Sequence, residues 1–499
     1  MKKYIETIKI CVIGAVSVFA VSCSDFLDKN PLDQITSETF WTSESEANMA
    51  LAGVYARLYS YPFGHTDGDF DCMAGDISSN QSRAVINIAQ GMVEDNSGGL
   101  VSDIYNACYA GIASCNFFLD NAARTPVSEA TLNRMLGEVC FLRAMFYFKL
   151  AQHYGGVPLY TKSVTIDEAK VKQSSKAEVI AQVIKDLDYA IANLPNTSYT
   201  DGHAVKGSAL ALKARVLLNT SQWSEAADAA NQVMQSGYFS LCDNYRTLFL
   251  ASGQTNNPEI IFSVRYLNPD RSTDIDIHWA WWAYVNPRQE LVDDYECTDG
   301  LPISSSPLYD PSNWRLNRDP RLLMTIKHFD DKVVNSSGQE MGFAYNANSG
   351  TGYEPVKHCN WDALPIDYST KSEQDWILLR YADVLLMYAE AKNEASGPDA
   401  SVYSAVNEVR GRVNMPALPE GLTKDQMRER IRHERRIELA LEGIRWGDML
   451  RWKTMETYIP TLVDPGGTQR RFDPAKHYLL PFPRTETDIN DQLEQNPGY

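Results

Sequence analysis

The stretch from Gly207 to Gly237, GSALALKARVLLNTSQWSEAADAANQVMQSG, constrains the fold more than any other part of the sequence. It alternates small and large residues at helical spacing: Ala214 in its first half, then Trp223, Ala226, Ala230 and Val233 at intervals of three to four. Alanine lets two antiparallel helices approach closely, and Trp223 fills the space where they diverge. The pattern therefore predicts a helix pair of the tetratricopeptide type.

Other segments carry the same helical periodicity. We expect further helices over Thr131–His153, Lys176–Leu194, Trp376–Asn393, Ala400–Val413 and Thr423–Met449. The first two and the next two are spaced as further pairs, and Ser396-Gly397-Pro398-Asp399 supplies a turn. In RERIRHERRIEL, within the last helix, we expect opposite charges three or four residues apart to pair with each other rather than bind an anion. The fold class is therefore mainly α, a helical repeat scaffold.

The helical pattern stops between Gly237 and Trp376. Asn-Pro and Asp-Pro dipeptides interrupt this region, and short runs such as EIIFSVRY (259–266) resemble strands. The segment from Tyr61 to Ser97 has the same irregular character. Long loops carried on a rigid scaffold are where binding tends to lie, so a ligand face is expected here.

The N-terminal residues predict export. Lys2, Lys3 and Lys9 precede an apolar run, ICVIGAVSVFAV (10–21), which is too short to span a membrane comfortably. The run ends in small residues followed by Cys23, as a bacterial lipoprotein signal does, so residues 1–22 are predicted to be removed and Cys23 to be acylated. An ordinary signal peptide followed by an unrelated cysteine is the alternative. An acyl chain would attach the protein to a membrane.

Charge and cysteine content exclude several classes of function. The net charge is −18 and no basic patch stands out, so nucleic acid is not an expected partner. The cysteines have no spacing typical of zinc sites, and no metal or cofactor is predicted. Cys108 and Cys115 lie seven residues apart on one helical face and are predicted to be small buried apolar residues rather than a disulfide.

Seven motifs, spread from end to end, are similar to those of one family. They are DFLDKNP (25–31), FWTSESEANMALAGVYARL (40–58), CFLRAMFYFKLAQHYGGVPL (140–159), GHAVKGSALALKARVLLN (202–219), LRYADVLLMYAEAKNE (379–394), IRHERRIELALEGIRWGDMLRW (431–452) and YLLPFPRTETDINDQLEQNPGY (478–499). In this order they resemble the SusD/RagB family, the glycan-binding outer-membrane lipoproteins of Bacteroidetes.

The resemblance implies one SusD-like domain over residues 23–499, with about four tetratricopeptide-like helix pairs behind a loop-rich face that contains short strands. The scaffold would lie mainly in residues 100–237 and 376–452, and the ligand face in residues 61–99 and 238–375. It also implies an oligosaccharide ligand, a SusC-like TonB-dependent outer-membrane transporter as partner, and a surface-exposed, lipid-anchored location. A few members of the family serve peptide uptake, so peptides or another nutrient remain an alternative ligand.

The aromatic stretch DIDIHWAWWAYVNP (274–287) is the first candidate site, because sugar rings stack on flat aromatic platforms with polar groups around them. If it runs extended, side chains alternate between two faces. Ile275, Ile277, Trp279 and Trp281 would then face the core, and Asp274, Asp276, His278, Trp282 and Tyr284 would face outwards. Trp282 and Tyr284 are predicted platforms with His278 as a polar neighbour, and Trp279 and Trp281 are included among the candidate ligand-binding residues of the stretch. The alternative is that all four large rings fill the seam between loops and scaffold.

The second candidate site comprises Asp67, Asp69, Asp71, Asp76, Asn80 and Arg83, in the position of the aromatic-rich loop of starch-binding family members, and ligand contacts are predicted for Asp76, Asn80 and Arg83. No Trp lies between Gly64 and Gly99, a departure that argues against a starch-type aromatic arc. A solvated loop is the alternative for these polar residues. The nearby Asp67, Asp69 and Asp71 begin like a calcium loop, but Cys72 stands where the turn needs glycine and Ser78 where the bidentate Glu belongs.

No catalytic motif points to an enzyme. The sequence has no nucleophile elbow, HExxH, phosphate loop or dinucleotide fingerprint. A hydrolase would need a pair of carboxylates at a fixed separation, which the 64 acidic residues neither locate nor exclude. Binding without catalysis is the prediction. A pure assembly scaffold for the transporter, with no ligand of its own, and a hydrolase are the alternatives.

Overall fold

A computed structural model describes residues 40–66, 68–79, 83–334, 340–341, 349–363 and 366–499. The predicted export signal and Cys23 lie outside these residues, as do Asp67 and Asn80. Seventeen α-helices are present in the described part, in chain order α1 Glu44–Tyr55, α2 Asp69–Ala74, α3 Arg83–Ala89, α4 Leu100–Asn121, α5 Glu129–Tyr154, α6 Lys176–Asn193, α7 Lys206–Asn219, α8 Trp223–Gln235, α9 Ala251–Gln254, α10 Gln289–Asp294, α11 Arg321–Thr325, α12 Tyr381–Ser396, α13 Ala400–Arg412, α14 Lys424–Glu438, α15 Arg445–Trp452, α16 Met455–Tyr458 and α17 Arg484–Ile489.

Strands are few and short. They are β1 Ile77–Ser78, β2 Ile260–Val264, β3 Asn286–Pro287, β4 Ile326–His328, β5 Val333–Val334, β6 Glu340–Met341, β7 Tyr353–Pro355 and β8 Trp376–Arg380. They form four two-stranded antiparallel sheets, β1–β3, β2–β8, β4–β7 and β5–β6. All but β8 lie in the two segments predicted to be loop-rich.

The long helices form a continuous stack. Helix α5 packs on α4 and α6, α7 on α6 and α8, and α12 on α8, α13 and α14. The predicted pairs α5–α6, α7–α8 and α12–α13 are therefore confirmed, and the fold is mainly α. At the α7–α8 crossing Ala214, Ala226 and Ala230 are fully or almost fully buried, as their small side chains require for close approach. Ser175 opens α6 with a capping box completed by Glu178.

The segment Trp376–Arg380 is a strand, and the prediction that it begins a helix was wrong. It pairs with Ile260–Val264, and four of its five side chains are buried. A short apolar run such as WILLR suits either a buried strand or a buried helix. The distant β2 strand decides between them, because it satisfies the backbone groups of β8.

The predicted long helix over Thr423–Met449 is two helices, α14 and α15. Leu441 and Gly443 between them have positive φ angles of 61° and 69°, a conformation that ends an α-helix. The Gly443 N–H donates to Oδ2 of Asp71 at 3.1 Å, and the Ala440 carbonyl accepts from Nζ of Lys357 at 2.8 Å. Long-range hydrogen bonds thus stabilise the break.

The arginines of α14 are structural, as predicted, but most of their partners lie on other elements. Arg428 and Arg432 pair with acids three residues away. The buried Arg435 instead pairs with Asp383 of α12 and Asp448 of α15, at 2.9 and 2.8 Å. Burial alone would raise the pKa of Asp383, but the guanidinium groups of Arg435 and Arg215 lower it to about 2. Ion pairs thus tie α12, α14 and α15 together.

A second network of ion pairs centres on Glu438, the last residue of α14. Its carboxylate is fully buried and accepts from Arg321, Arg380 and Arg412, at 2.9, 2.7 and 2.5 Å. These arginines belong to the loop-rich face, to β8 and to α13 respectively. The network therefore fixes the loop-rich segments to the helical scaffold.

The cysteine prediction is confirmed for Cys108 and Cys115, which are fully buried and not bonded to each other. Burial raises the pKa of the Cys108 thiol, which keeps it protonated. Within the residues that the structure covers, no helix combines the length and the apolar character that crossing a bilayer requires.

Candidate functional site

The aromatic stretch forms a helical turn, not the extended chain that the alternation required. Residues Ile277–Trp281 form one turn of π-helix, which the Trp282 N–H closes by donating to the Ile277 carbonyl at 2.8 Å. Beyond it Ala283 has a positive φ of 51°, and the Tyr284 N–H turns back to the His278 carbonyl at 3.0 Å. Single π-turns are frequent at functional sites, because they re-aim side chains.

Asp276 holds this turn in place and faces inwards, so its predicted place on the surface was wrong. Its side chain is 1% exposed. Its carboxylate accepts from the Ser372 hydroxyl at 2.6 Å, the Gln374 amide at 3.0 Å and the Asn360 N–H at 2.7 Å. Burial raises the pKa of Asp276, and these three donors oppose that rise. The carboxylate joins the turn to two distant segments.

Trp279 belongs to the core and is withdrawn as a ligand-binding residue. Its indole is 0% exposed and packs edge-on against His358 and Trp376, with centroids 5.0 and 6.0 Å away. Trp376 begins β8, so the turn is seated directly on the β2–β8 sheet. The inward orientation that the alternation gave to Trp279 is correct, although the backbone that produces it is helical.

Four rings of the stretch remain partly exposed: His278, Trp281, Trp282 and Tyr284. Trp281 was predicted to be buried, and that prediction was wrong, because the helical turn places consecutive tryptophans side by side rather than on opposite faces. The indole planes of Trp281 and Trp282 are inclined at 39° with centroids 6.2 Å apart. Tyr284 lies 5.5 Å from Trp282, and the His278 imidazole stacks on that indole at 5.1 Å and 13°.

Two further residues complete this cluster and were missed by the sequence analysis. Tyr368 is 68% exposed, and its ring lies edge-on to Trp281 and Trp282, at 4.4 and 5.9 Å. His65 lies 5.6 Å from His278. The antiparallel bridge between Thr273 and Ser372 brings Tyr368 next to the aromatic stretch. No local sequence pattern predicts this pairing. We refer to His65, His278, Trp281, Trp282, Tyr284 and Tyr368 as the aromatic patch.

The aromatic patch has a polar margin. Asp274, one turn before His278, is exposed and lies 3.6 Å from Nζ of Lys371. An exposed pair of this kind is weak and easily exchanged for hydrogen bonds to a ligand. Flat rings bordered by groups that donate and accept hydrogen bonds match the chemistry of a sugar, which has apolar C–H faces and a hydroxyl rim.

The second predicted site does not form around Asp76. This carboxylate is 0% exposed and pairs with Arg436 and Arg445 at 2.7 and 3.1 Å, so it is part of the scaffold. The two guanidinium groups, from α14 and α15, bury it. Both arginines lie far from Asp76 in the sequence, so no local pattern predicts this pairing. Arg83 is the first residue of α3, and Asn80 lies outside the described residues. Their predicted role in binding stays a prediction.

Comparisons with known proteins agree with this architecture. The model of the SusD family matches residues 258–499, and a family described as "Starch-binding associating with outer membrane" matches residues 25–218. A SusD-like carbohydrate-binding protein from Bacteroides fragilis is 30% identical, with a TM-score of 0.81 over 91% of this chain and 100% of its own. The chain belongs to the SusD family.

Other members of the SusD family resemble the chain over its whole length. SusD-like protein P2 of Formosa agariphila is 28% identical, and the match covers 100% of both chains. A solved laminarin-binding SusD-like protein is 25% identical, with a TM-score of 0.74 over 92% of this chain and 100% of its own. The aromatic patch draws five of its six residues from the region that the SusD model matches.

Proposed function

We propose that this SusD-family protein binds an oligosaccharide at the aromatic patch without catalysing its cleavage. The observation that carries the proposal is the pair of partly exposed indoles, Trp281 and Trp282, flanked by Tyr284 and Tyr368. Two ring planes inclined at 39° suit consecutive sugar units of a curved chain better than a flat one. The carbohydrate-binding and laminarin-binding relatives support a glycan as the ligand.

The rigidity of the patch supports binding further. The π-turn is held by the carboxylate of Asp276 and seated on Trp376 through Trp279. Rings that are fixed before the ligand arrives lose little conformational entropy on binding. Each stacking contact can then contribute its full free energy to affinity.

We further propose that the protein is held at the outer membrane by acylation of Cys23, after removal of residues 1–22, and delivers its ligand to a SusC-like TonB-dependent transporter. The outer-membrane association in the description of the matching family supports this location. Tethering above a transporter raises the effective concentration of captured ligand, so modest affinity suffices. Metabolic labelling with an alkyne-bearing fatty acid tests the anchor: label should depend on Cys23, and a labelled Cys23→Ala variant would contradict it.

Affinity electrophoresis tests the ligand. The protein is run through native gels that contain laminarin, starch, xylan or mannan, beside the Trp282→Ala variant. We expect retardation in at least one gel and its loss in the variant. A protein that migrates unretarded in every gel, but binds peptides from a protein digest in calorimetry, would replace the glycan by a peptide ligand. Retardation that survives in the variant would place the site elsewhere.

A further inference from the structure

A second concave site lies on the helical scaffold, built from other residues than the aromatic patch. It is a cavity of about 1070 Å³ between α5, the start of α6, the end of α7 and the residues that follow α15. Its polar lining includes Gln152, Asn219 and Gln222, and Ile180 and Ile184 supply an apolar wall. Lys176 and Lys453 stand at its edge, and we refer to it as the lysine pocket.

The charge of the lysine pocket is unusual for this chain. Among the residues that the structure covers, no Asp or Glu lines it, although the chain has 64 acidic and 46 basic residues. Its third cation, Arg451, is neutralised by Glu390 and Asp448, at 2.5 and 2.9 Å. The electrostatic character of the pocket is therefore set by the two lysines.

Neither lysine has a carboxylate within 4 Å in the described part of the chain. Nζ of Lys453 lies 3.6 Å from the centre of the Tyr478 ring, which holds its position. Both lysines line the same cavity: partial enclosure by its walls lowers the pKa of the solvent-exposed Lys176, and the charge of Lys453 lowers it further. Two adjacent cations in a concave site are stabilised by an anion placed between them.

A smaller cavity of about 100 Å³ shares Gln152, Asn219 and Arg451 with the lysine pocket. Its lining carries charges of both signs, because Glu442 and Asp448 line it together with Lys149, whose Nζ lies 4.8 Å from the centre of the Phe70 ring. His153, which is 3% exposed, lines the same cavity, and neither ring nitrogen has a hydrogen-bond partner within the described structure. A buried polar group without a partner costs about 1–3 kcal/mol, so an occupant that bonds to it is favoured.

The geometry points to an oxyanion site in the lysine pocket, where Lys176 and Lys453 bind a sulfate or carboxylate group and the amides of Gln152, Asn219 and Gln222 bind its remaining oxygens. The anion is either free in solution or a substituent of a sugar, whose ring would lie against Ile180 and Ile184. Binding at the aromatic patch requires no charge on the ligand. The lysine pocket therefore adds a preference for anionic ligands, which the proposed function does not include.

Isothermal titration calorimetry of the purified full-length protein tests the site with sodium sulfate, glucose 6-sulfate and glucose as probes. We expect saturable binding of both sulfated probes and none of glucose in this pocket. Each of Lys176→Gln and Lys453→Gln should weaken binding about tenfold, because a charge-assisted contact is lost. Lys453→Arg should retain it. Tighter binding of glucose 6-sulfate than of sulfate identifies a sugar substituent, and equal binding identifies a free anion.

Lys185→Gln is the matched control, because it removes one charge from the exposed side of the same helix α6. Both pocket lysines are exposed, so circular dichroism should show unchanged folding for every variant. The inference is overturned if neither sulfated probe binds the unmodified protein, or if the pocket variants bind as tightly as Lys185→Gln. Glycan binding at the aromatic patch, measured with Trp282→Ala, is independent of either result.

Discussion

The imidazole of His278 lies parallel to the indole of Trp282, with 13° between the ring planes and 5.1 Å between their centres. The two residues are four apart along the chain, and the histidine supports one face of the tryptophan. Stacked aromatic pairs contribute about 0.5–1.5 kcal/mol beyond the area they bury. His278 is therefore a positioning residue for the platform.

His278→Ala should weaken glycan binding about fivefold, because Trp282 loses the ring that fixes its orientation. His278→Phe should bind nearly as well as the unmodified protein, since a phenyl ring can stack in the same place. Calorimetry with one oligosaccharide measures both. Equal weakening by the two variants would show that the histidine acts through a hydrogen bond to the ligand instead.

Asp276→Ala should destabilise the protein and weaken binding together, although Asp276 does not contact the surface. The substitution leaves the buried Ser372 hydroxyl without its acceptor and removes one of the two hydrogen bonds that the Gln374 amide donates. We expect a loss of about 2–4 kcal/mol in the free energy of unfolding, measured by urea denaturation. Asp274→Ala, at the exposed end of the same turn, should change stability by less than about 0.5 kcal/mol. Unchanged stability in Asp276→Ala would refute its anchoring role.

Because of Asp71, the free energy of unfolding of the protein should fall as pH rises. Burial and the neighbouring Asp76 raise the pKa of the Asp71 carboxyl to about 8. Between about pH 4 and pH 8 the folded state therefore holds a proton that the unfolded state has released, and stability falls across this range. At pH 8 Asp71→Asn should be more stable than the unmodified protein by about 5 kcal/mol, because each of the roughly four pH units contributes about 1.4 kcal/mol, and the gain should vanish near pH 4.

Thermal unfolding at several pH values measures this difference. The exposed Asp228→Asn on α8 is the control for the loss of one negative charge. An Asp71→Asn variant with the same pH dependence as the unmodified protein would show that this carboxyl is ionised in the folded state.

Glu438→Gln should be among the most destabilising substitutions in the scaffold. Burial by itself would raise the pKa of Glu438, but the guanidinium groups of Arg412, Arg380 and Arg321 hold it well below its usual range. Removing the charge leaves buried arginines short of a partner, at an expected cost of about 3–5 kcal/mol. Glu494→Gln breaks the exposed pair with Lys172 and should cost less than about 1 kcal/mol. Urea unfolding that ranks the two variants equally would contradict the structural role of the network.

The helical scaffold could be predicted from the sequence because its determinants are local. The spacing of Ala214, Trp223 and Ala226 within one segment is enough to predict α7 and α8, and the structure confirms both. Trp376–Arg380 was assigned wrongly, since its partner strand β2 lies far away in the chain. Local periodicity reports which residues face a core, but not which distant segment supplies the hydrogen bonds.

The candidate site was only half predictable for the same reason. The abundance of rings in residues 274–287 located the patch, yet the backbone conformation depends on hydrogen bonds that the Asp276 carboxylate accepts from residues 360, 372 and 374. Because of those bonds, the backbone forms a π-turn instead of an extended strand whose side chains alternate between two faces. As a result Trp281 reaches the surface and Asp276 is buried. Tyr368 joins through the same long-range pairing. A contact between Thr273 and Ser372 has no signature in either segment alone.

The affinity of Trp282→Ala for an oligosaccharide, compared with that of Tyr238→Ala, tests the central claim most directly. Tyr238 is 38% exposed and is not part of the aromatic patch, so its loss removes a similar surface ring without touching the site. Calorimetry with an oligosaccharide of the retained polysaccharide should give Trp282→Ala at least about tenfold weaker binding and Tyr238→Ala a change within about twofold. Equal affinity of the two variants for a glycan that the unmodified protein binds would contradict the assignment of the aromatic patch.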